Sequence, residues 1–222
     1  MYPKGNLYIP ASVGQLEAIL KEPEGAAKGV AVVCHPHPLG GGTMHNKVVF
    51  RTAAGLIDAG LTTLRFNFRS VGNSDGNHDG SAEVQDVRDA IDFICTHYPN
   101  MDLTLAGFSF GSRMAAEVAI TDERVKRLIM IGTPVDKYDD FDILTTIRKS
   151  VLFVHGDSDE FGAESSLKKL VDSVNRETET EIVIFKDCGH FFDQQLDELR
   201  NTVRKWVSEQ LKRGAYGEDS VR

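Results

Sequence analysis

Ser109 stands between two glycines in LTLAGFSFGSRMAAE, residues 103–117. Gly107 lies two positions before it and Gly111 two after. The apolar run from Leu103 to Ala106 reads as a strand, and the residues near Arg113 begin a helix-like stretch. The serine therefore falls where a strand turns sharply into a helix. A nucleophilic serine must project into a site from a tight turn, and glycine relieves the crowding on both sides. The amide of Phe110, at the start of the helix, can donate to a developing oxyanion. Chance alone yields such a pentapeptide in roughly one chain in ten of this length, so the argument needs partner residues.

A serine hydroxyl needs a base, and the base needs an orienting acid. VLFVHGDSDEF, residues 151–161, puts Asp157 and Asp159 just after an apolar run. FKDCGHFFDQ, residues 185–194, puts His190 just after the next. The order Ser, Asp, His is that of a nucleophile elbow on a parallel sheet. Spacing by itself leaves both aspartates open as the acid.

The elements that must carry these residues follow from periodicity. Short apolar runs at 29–35, 61–68, 101–109, 125–132, 150–156 and 180–186 read as buried strands. Helical spacing recurs in 46–59, 81–98, 163–175 and 192–211, the last with a stripe from Phe192 to Val207. Gly60 reads as a helix stop. Alternation of this kind predicts a mainly parallel sheet with helices on both faces. GNLYIP and QLEAILKE have no helix between them and predict an antiparallel hairpin at one edge. Residues 1–213 read as one domain and 214–222 as a loosely held tail.

The 222 residues carry a formal net charge of -8, and 41% are hydrophobic. Such a chain can bury a proper core, and its acidity argues against nucleic acid or an anionic membrane as partner. No apolar run reaches the ~20 residues that span a bilayer, and the start lacks a secretory layout; a cytoplasmic location is expected. Cys34, Cys95 and Cys188 are too few and too scattered for a disulfide framework or a zinc site and are expected to be buried thiols. His35, His37 and His45 have no carboxylate at close spacing, so no metal is expected. LGGGTMHNK lacks the phosphate-binding glycine patterns. A structural role is expected for Arg69 and a packing role for Cys188. The sequence leaves the oligomeric state open, with a homodimer among the expectations.

GFSFG, HGDSDE, CGHFF, HPHPLGGGTMHNKVV and RFNFRSVGNS resemble the α/β-hydrolase superfamily. The match extends from about residue 7 to 212 and is closest to small bacterial serine hydrolases of the dienelactone hydrolase-like group. Dienelactone hydrolases proper carry cysteine at the elbow; this chain has Ser109, which favours a serine esterase. The resemblance implies an α/β-hydrolase fold with no separate cap domain and no cofactor. It implies Ser109 as nucleophile, His190 as general base and Asp159 as the acid, with Asp157 as the fallback. It also implies an oxyanion hole of Phe110 N–H and a second amide from the loop after the strand at 29–35. Pro36 and Pro38 have no N–H to give, which leaves His37 or Leu39, and the family's usual position favours His37. Leu39, Gly40 and Phe108 are expected to line the substrate.

The expected substrate is a small ester. Thioesterase, lactonase, amidase and acyltransferase chemistry use the same constellation, and a binding protein on the same fold is the rival reading. Residues 132–149 leave room for a loop and a short helix, with Phe141, Ile143, Leu144 and Ile147 packing down, but not for a lid domain. A shallow site and short acyl groups are the expectation.

Overall fold

The strands are β1 (Gly5–Ala11), β2 (Gly14–Lys21), β3 (Gly29–Cys34), β4 (Leu61–Phe66), β5 (Leu103–Phe108), β6 (Val125–Ile131), β7 (Ser150–Gly156) and β8 (Thr180–Phe185). The helices are α1 (Lys47–Asp58), α2 (Glu83–His97), α3 (Phe110–Thr121), α4 (Glu164–Ser173) and α5 (Leu196–Glu218). This computed structural model describes residues 5–174 and 178–218, with side chains as far as Arg213.

One sheet runs in the order β1-β2-β4-β3-β5-β6-β7-β8. β3 through β8 are mutually parallel, while β2 is antiparallel to both β1 and β4. This is the expected mainly parallel sheet with an antiparallel N-terminal edge. The chain builds outward from β3 to β4, then returns to lay β5 on the other side of β3. A crevice opens at such a switch point, beyond the carboxyl ends of the two strands. The loops carrying His37 and Ser109 follow those two strands.

Each inner strand is buried on both faces, so alternate residues feed two cores. Val30, Val32, Leu105, Leu128, Met130 and Phe153 pack toward α2, α3 and α4. Ala31, Val33, Ala106, Ile129, Ile131 and Val154 pack toward α1 and α5. Helix α1 begins at Asn46, whose side chain accepts the Val48 N–H at 2.9 Å. Beyond it Gly60, at φ 98°, turns the chain into β4.

Two boundaries differ from the sequence reading. Phe192 is buried as its spacing suggests, but it lies in a turn at φ 54°, and α5 begins only at Leu196. Turns closed by Phe192 N–H to Gly189 O and Gln195 N–H to Phe192 O bring that ring to the core without a helix. Helix α5 runs on to Glu218; the tail expected at 214–222 falls on side chains and residues outside those described. Cys34 and Cys188 are buried, whereas Cys95 is only half-buried.

Phe141, Leu144 and Ile147 sink into the α2–α4 core, with Ile143 partly buried against it. The short 3₁₀ helix Phe141–Thr146 thus lies flat on the body. Behind β4, Arg69 grips Asp86 of α2. Its Nε and Nη2 reach the carboxylate at 2.7 to 3.1 Å, and its own N–H adds a bond of 2.9 Å. Asp86 is fully buried, and that burial pushes its carboxyl up against the pull of the guanidinium. Removing one partner of a buried pair strands the other's charge. Arg69→Ala is expected to lose about 3–5 kcal/mol of unfolding free energy, read from a urea melt at neutral pH.

Candidate active site

The elbow is built by what glycine lacks. Ser109 sits at φ 54° and ψ −122°, a left-handed φ that a side chain rarely tolerates. A Cβ on Gly107 would overlap the Gly111 carbonyl oxygen, and one on Gly111 would lie 2.5 Å from His35 O. The turn can therefore close only with glycine at both places. Ser109 N–H bonds Ile131 O at 2.9 Å, and Ser112 Oγ donates to Ser109 O at 2.6 Å. These bonds hold the strained residue from both sides.

The next two strand ends are tied in the same manner. Gly132 N–H bonds Val154 O at 2.9 Å and Asp157 N–H bonds Phe185 O at 3.0 Å. A Cβ on Gly156 would overlap Cys188 O. One on Gly132 would lie 2.9 Å from the Phe108 ring and 3.2 Å from the imidazole of His190. The sequence marks Gly132 only as a strand end; its closeness to His190 is visible only in three dimensions.

His190 and Asp159 are brought together. His190 Nδ1 lies 2.8 Å from Asp159 Oδ2, with both side chains almost wholly buried. The other carboxylate oxygen accepts the Phe161 N–H at 2.8 Å. His155, fully buried on β7, donates its Nε2 hydrogen to Gly162 O at 2.6 Å and brackets the same turn. Asp157 faces elsewhere. It accepts from Cys188 N–H at 3.3 Å and Ser158 Oγ at 3.1 Å, with Lys186 at 3.6 Å. Its place is to clasp the loop that carries His190.

Three aromatic rings surround the imidazole. Phe108, Phe161 and Phe191 have centroids 4.9, 4.6 and 5.2 Å from that of His190. This corrects the expectation for Phe108: at 1% exposure it has no surface for a substrate. Strand alternation sends it to the α1–α5 face, beneath His190. The stacking of Phe161 and Phe191 on His190 has no signal in the sequence, where each is only one more aromatic in a loop. Burial first, then the carboxylates of Asp157 and Asp159, push the Cys188 thiol up to about 11.

The loop after β3 supplies the opposite wall. His35 is buried, and both ring nitrogens are spent: Nδ1 on Pro36 O at 2.6 Å and Nε2 on the Phe68 N–H at 3.0 Å. Burial pulls it down to about 4, so it is a neutral strut with no lone pair left for a metal. Leu39 N–H is used on His37 Nδ1 at 3.2 Å. His37 N–H has no protein acceptor among the described residues, which favours it over Leu39 as a free donor. Phe110 N–H, in the first turn of α3, lies among the amides a helix leaves unpaired. Leu39, on the 3₁₀ turn Pro38–Gly40, is 80% exposed, and Gly40 is exposed beside it.

The geometry gives the two aspartates different work. Asp159→Asn is expected to lower ester turnover by roughly three to four orders of magnitude, because it favours the wrong imidazole tautomer. Asp157→Asn is expected to lower stability more than turnover. Steady-state rates and thermal melts on both folded variants check the ranking.

Comparison with known proteins agrees with this architecture. A protein of Rickettsia prowazekii, itself uncharacterized, is 32% identical over 209 residues, covering 90% of this chain and 87% of that one. A solved alpha-beta serine hydrolase homologue from Coxiella burnetii is 40% identical, covers 92% of this chain and 99% of its own, and superposes with a TM-score of 0.86. A lid-free serine hydrolase from Xanthomonas campestris is 32% identical, with coverage of 95% and 97% and a TM-score of 0.85. The pattern described as the alpha/beta hydrolase domain matches residues 30–212. With the sheet order, the elbow and this match in agreement, the chain belongs to the alpha/beta hydrolase domain family.

Proposed function

We propose that the protein hydrolyses carboxylic esters of small molecules, with Ser109 as nucleophile, His190 as general base and Asp159 as its orienting acid. The observation that carries the reading is the His190–Asp159 bond of 2.8 Å beside a serine strained at φ 54°. Asp159 accepts from Nδ1, which leaves Nε2 as the nitrogen that takes the Ser109 proton. Ser109 Oγ attacks the carbonyl carbon, and the oxyanion is met by the amides of Phe110 and His37. His190 returns the proton to the leaving alcohol, and the acyl group stays on Ser109. Water then attacks, losing its proton to His190, and the acid departs as Ser109 regains its hydrogen.

The fold supports a small substrate. Val135, Tyr138, Phe141, Ile143, Leu144 and Ile147 hold the segment between β6 and β7 against the core. The apolar groups nearest the opening, Leu39 and Phe191, are 80% and 41% exposed. An open site buries few methylenes, each worth about 0.8 kcal/mol.

Two measurements test this. A fluorophosphonate is expected to label the protein once, at Ser109, and Ser109→Ala to lose both label and turnover while remaining folded. Undiminished hydrolysis by that variant sinks the assignment. Across p-nitrophenyl esters from acetate to palmitate, kcat/KM is expected to fall beyond about six to eight carbons; a maximum at the long end would reveal a deep acyl tunnel.

A further inference from the structure

Basic side chains around the opening are mostly neutralised. Lys47 pairs with Asp193, and Arg113 pairs with Asp140 while also donating to Gly80 O. Lys137 differs: no carboxylate lies within ion-pair distance of it among the described residues. Its ammonium stands 5.3 Å from the centre of the Phe161 ring and 5.8 Å from that of Tyr138. Phe161 is one of the three rings that pack on His190, so this cation stands one ring away from the base.

Across the opening stands a second feature the esterase reading leaves unused. His78 Nδ1 donates to Glu83 at 2.6 Å, and that carboxylate is fully buried. Two amides, Asp79 N–H and Gly80 N–H, complete its partners at 3.1 and 2.9 Å. Fixed in this way, the His78 ring packs edge-on against His37 at 4.9 Å. His37 in turn lies 4.9 Å from the Phe110 ring, next in sequence to Ser109. Because His37 Nδ1 accepts from Leu39 N–H, its hydrogen sits on Nε2, a donor with no protein acceptor among the described residues. Burial first, then the neighbouring His78 and Lys137, hold His37 below the usual imidazole value. Lys137 thus flanks the His190 side of the elbow, and the His37–His78 pair its Phe110 side.

Three nearby acids are engaged. Asp140 serves Arg113, Asp136 accepts the Ala163 N–H at 2.6 Å, and Glu160 accepts the His190 N–H at 3.4 Å. We propose that the opening above Ser109 carries an anion subsite formed by Lys137 and the His37–His78 pair, and that the natural substrate is an ester bearing a carboxylate a few bonds from its scissile carbonyl. This deepens the esterase reading and rests on it. In a chain of net charge -8, a local cation also offsets the repulsion an anionic substrate meets on approach.

The test uses matched ester pairs that differ only in one charge. The p-nitrophenyl monoester of glutaric acid is compared with p-nitrophenyl valerate, and 4-carboxyphenyl acetate with phenyl acetate. These arms place the anion on the acyl or on the alcohol side. The wild type is expected to favour the charged member of at least one pair, and Lys137→Gln to lower that preference roughly tenfold. Added salt is expected to erode the preference in the wild type. No preference in either pair, or one indifferent to Lys137→Gln, overturns the subsite. Direct calorimetry of glutarate binding decides the matter even without turnover: binding weakened roughly tenfold in Lys137→Gln supports the subsite, and equal or absent binding overturns it. Failure of the esterase reading itself is distinguishable, because Ser109 then resists the fluorophosphonate whatever glutarate does.

Discussion

The site depends on backbone segments approaching closer than any side chain allows. Gly107 passes under Gly111, Gly111 under the carbonyls of Cys34 and His35, and Gly156 under Cys188. The first closes the elbow on itself, the second ties it to the end of β3, and the third ties the end of β7 to the loop after β8. Together with the bonds from Ser109 to Ile131, Gly132 to Val154 and Asp157 to Phe185, they make one rigid edge from five strand ends. A serine can be strained at that edge because the sheet beneath it over-determines its position. Catalytic constellations need placement to a fraction of an ångström, and an edge tied in this way can provide it.

Burial completes what geometry begins. Asp159 is sealed from water, yet both its oxygens accept hydrogen bonds, so the carboxylate is satisfied in place. The three rings around His190 exclude water from the imidazole and restrict its rotation. Gly132 lets that ring sit against the end of β6. The polar groups flanking the elbow come from loops after β3, β4 and β6. Specificity can therefore vary in those loops while the edge below stays fixed.

How much was legible beforehand follows from the range of each signal. The GFSFG elbow is local: strand, glycine spacing and helix lie within fifteen residues, and the structure forms it as read. Strand order at the N-terminal edge was readable because no helix separates the first two runs. Asp157 and Asp159 differ by two positions, and only the direction of each side chain separates them. Phe108 was misjudged because alternation gives two faces but not which of them meets the substrate. Phe192 misled because burial at helical spacing was met by two tight turns. Gly132 and Phe161 act through contacts with His190 from distant segments, and the Glu83–His78 pair, though only five residues apart, is closed by the shape of the loop between them; no local pattern announces any of them.

The most direct measurement concerns the covalent step on Ser109. Protein turning over p-nitrophenyl acetate is acid-quenched within the first turnover, and its intact mass and peptides are read by mass spectrometry. The expected result is a gain of one acetyl group, confined to the peptide carrying Ser109 and matched by a burst of one p-nitrophenol per chain. Turnover with no adduct and no burst, or an adduct on another residue such as Cys188, would contradict the account.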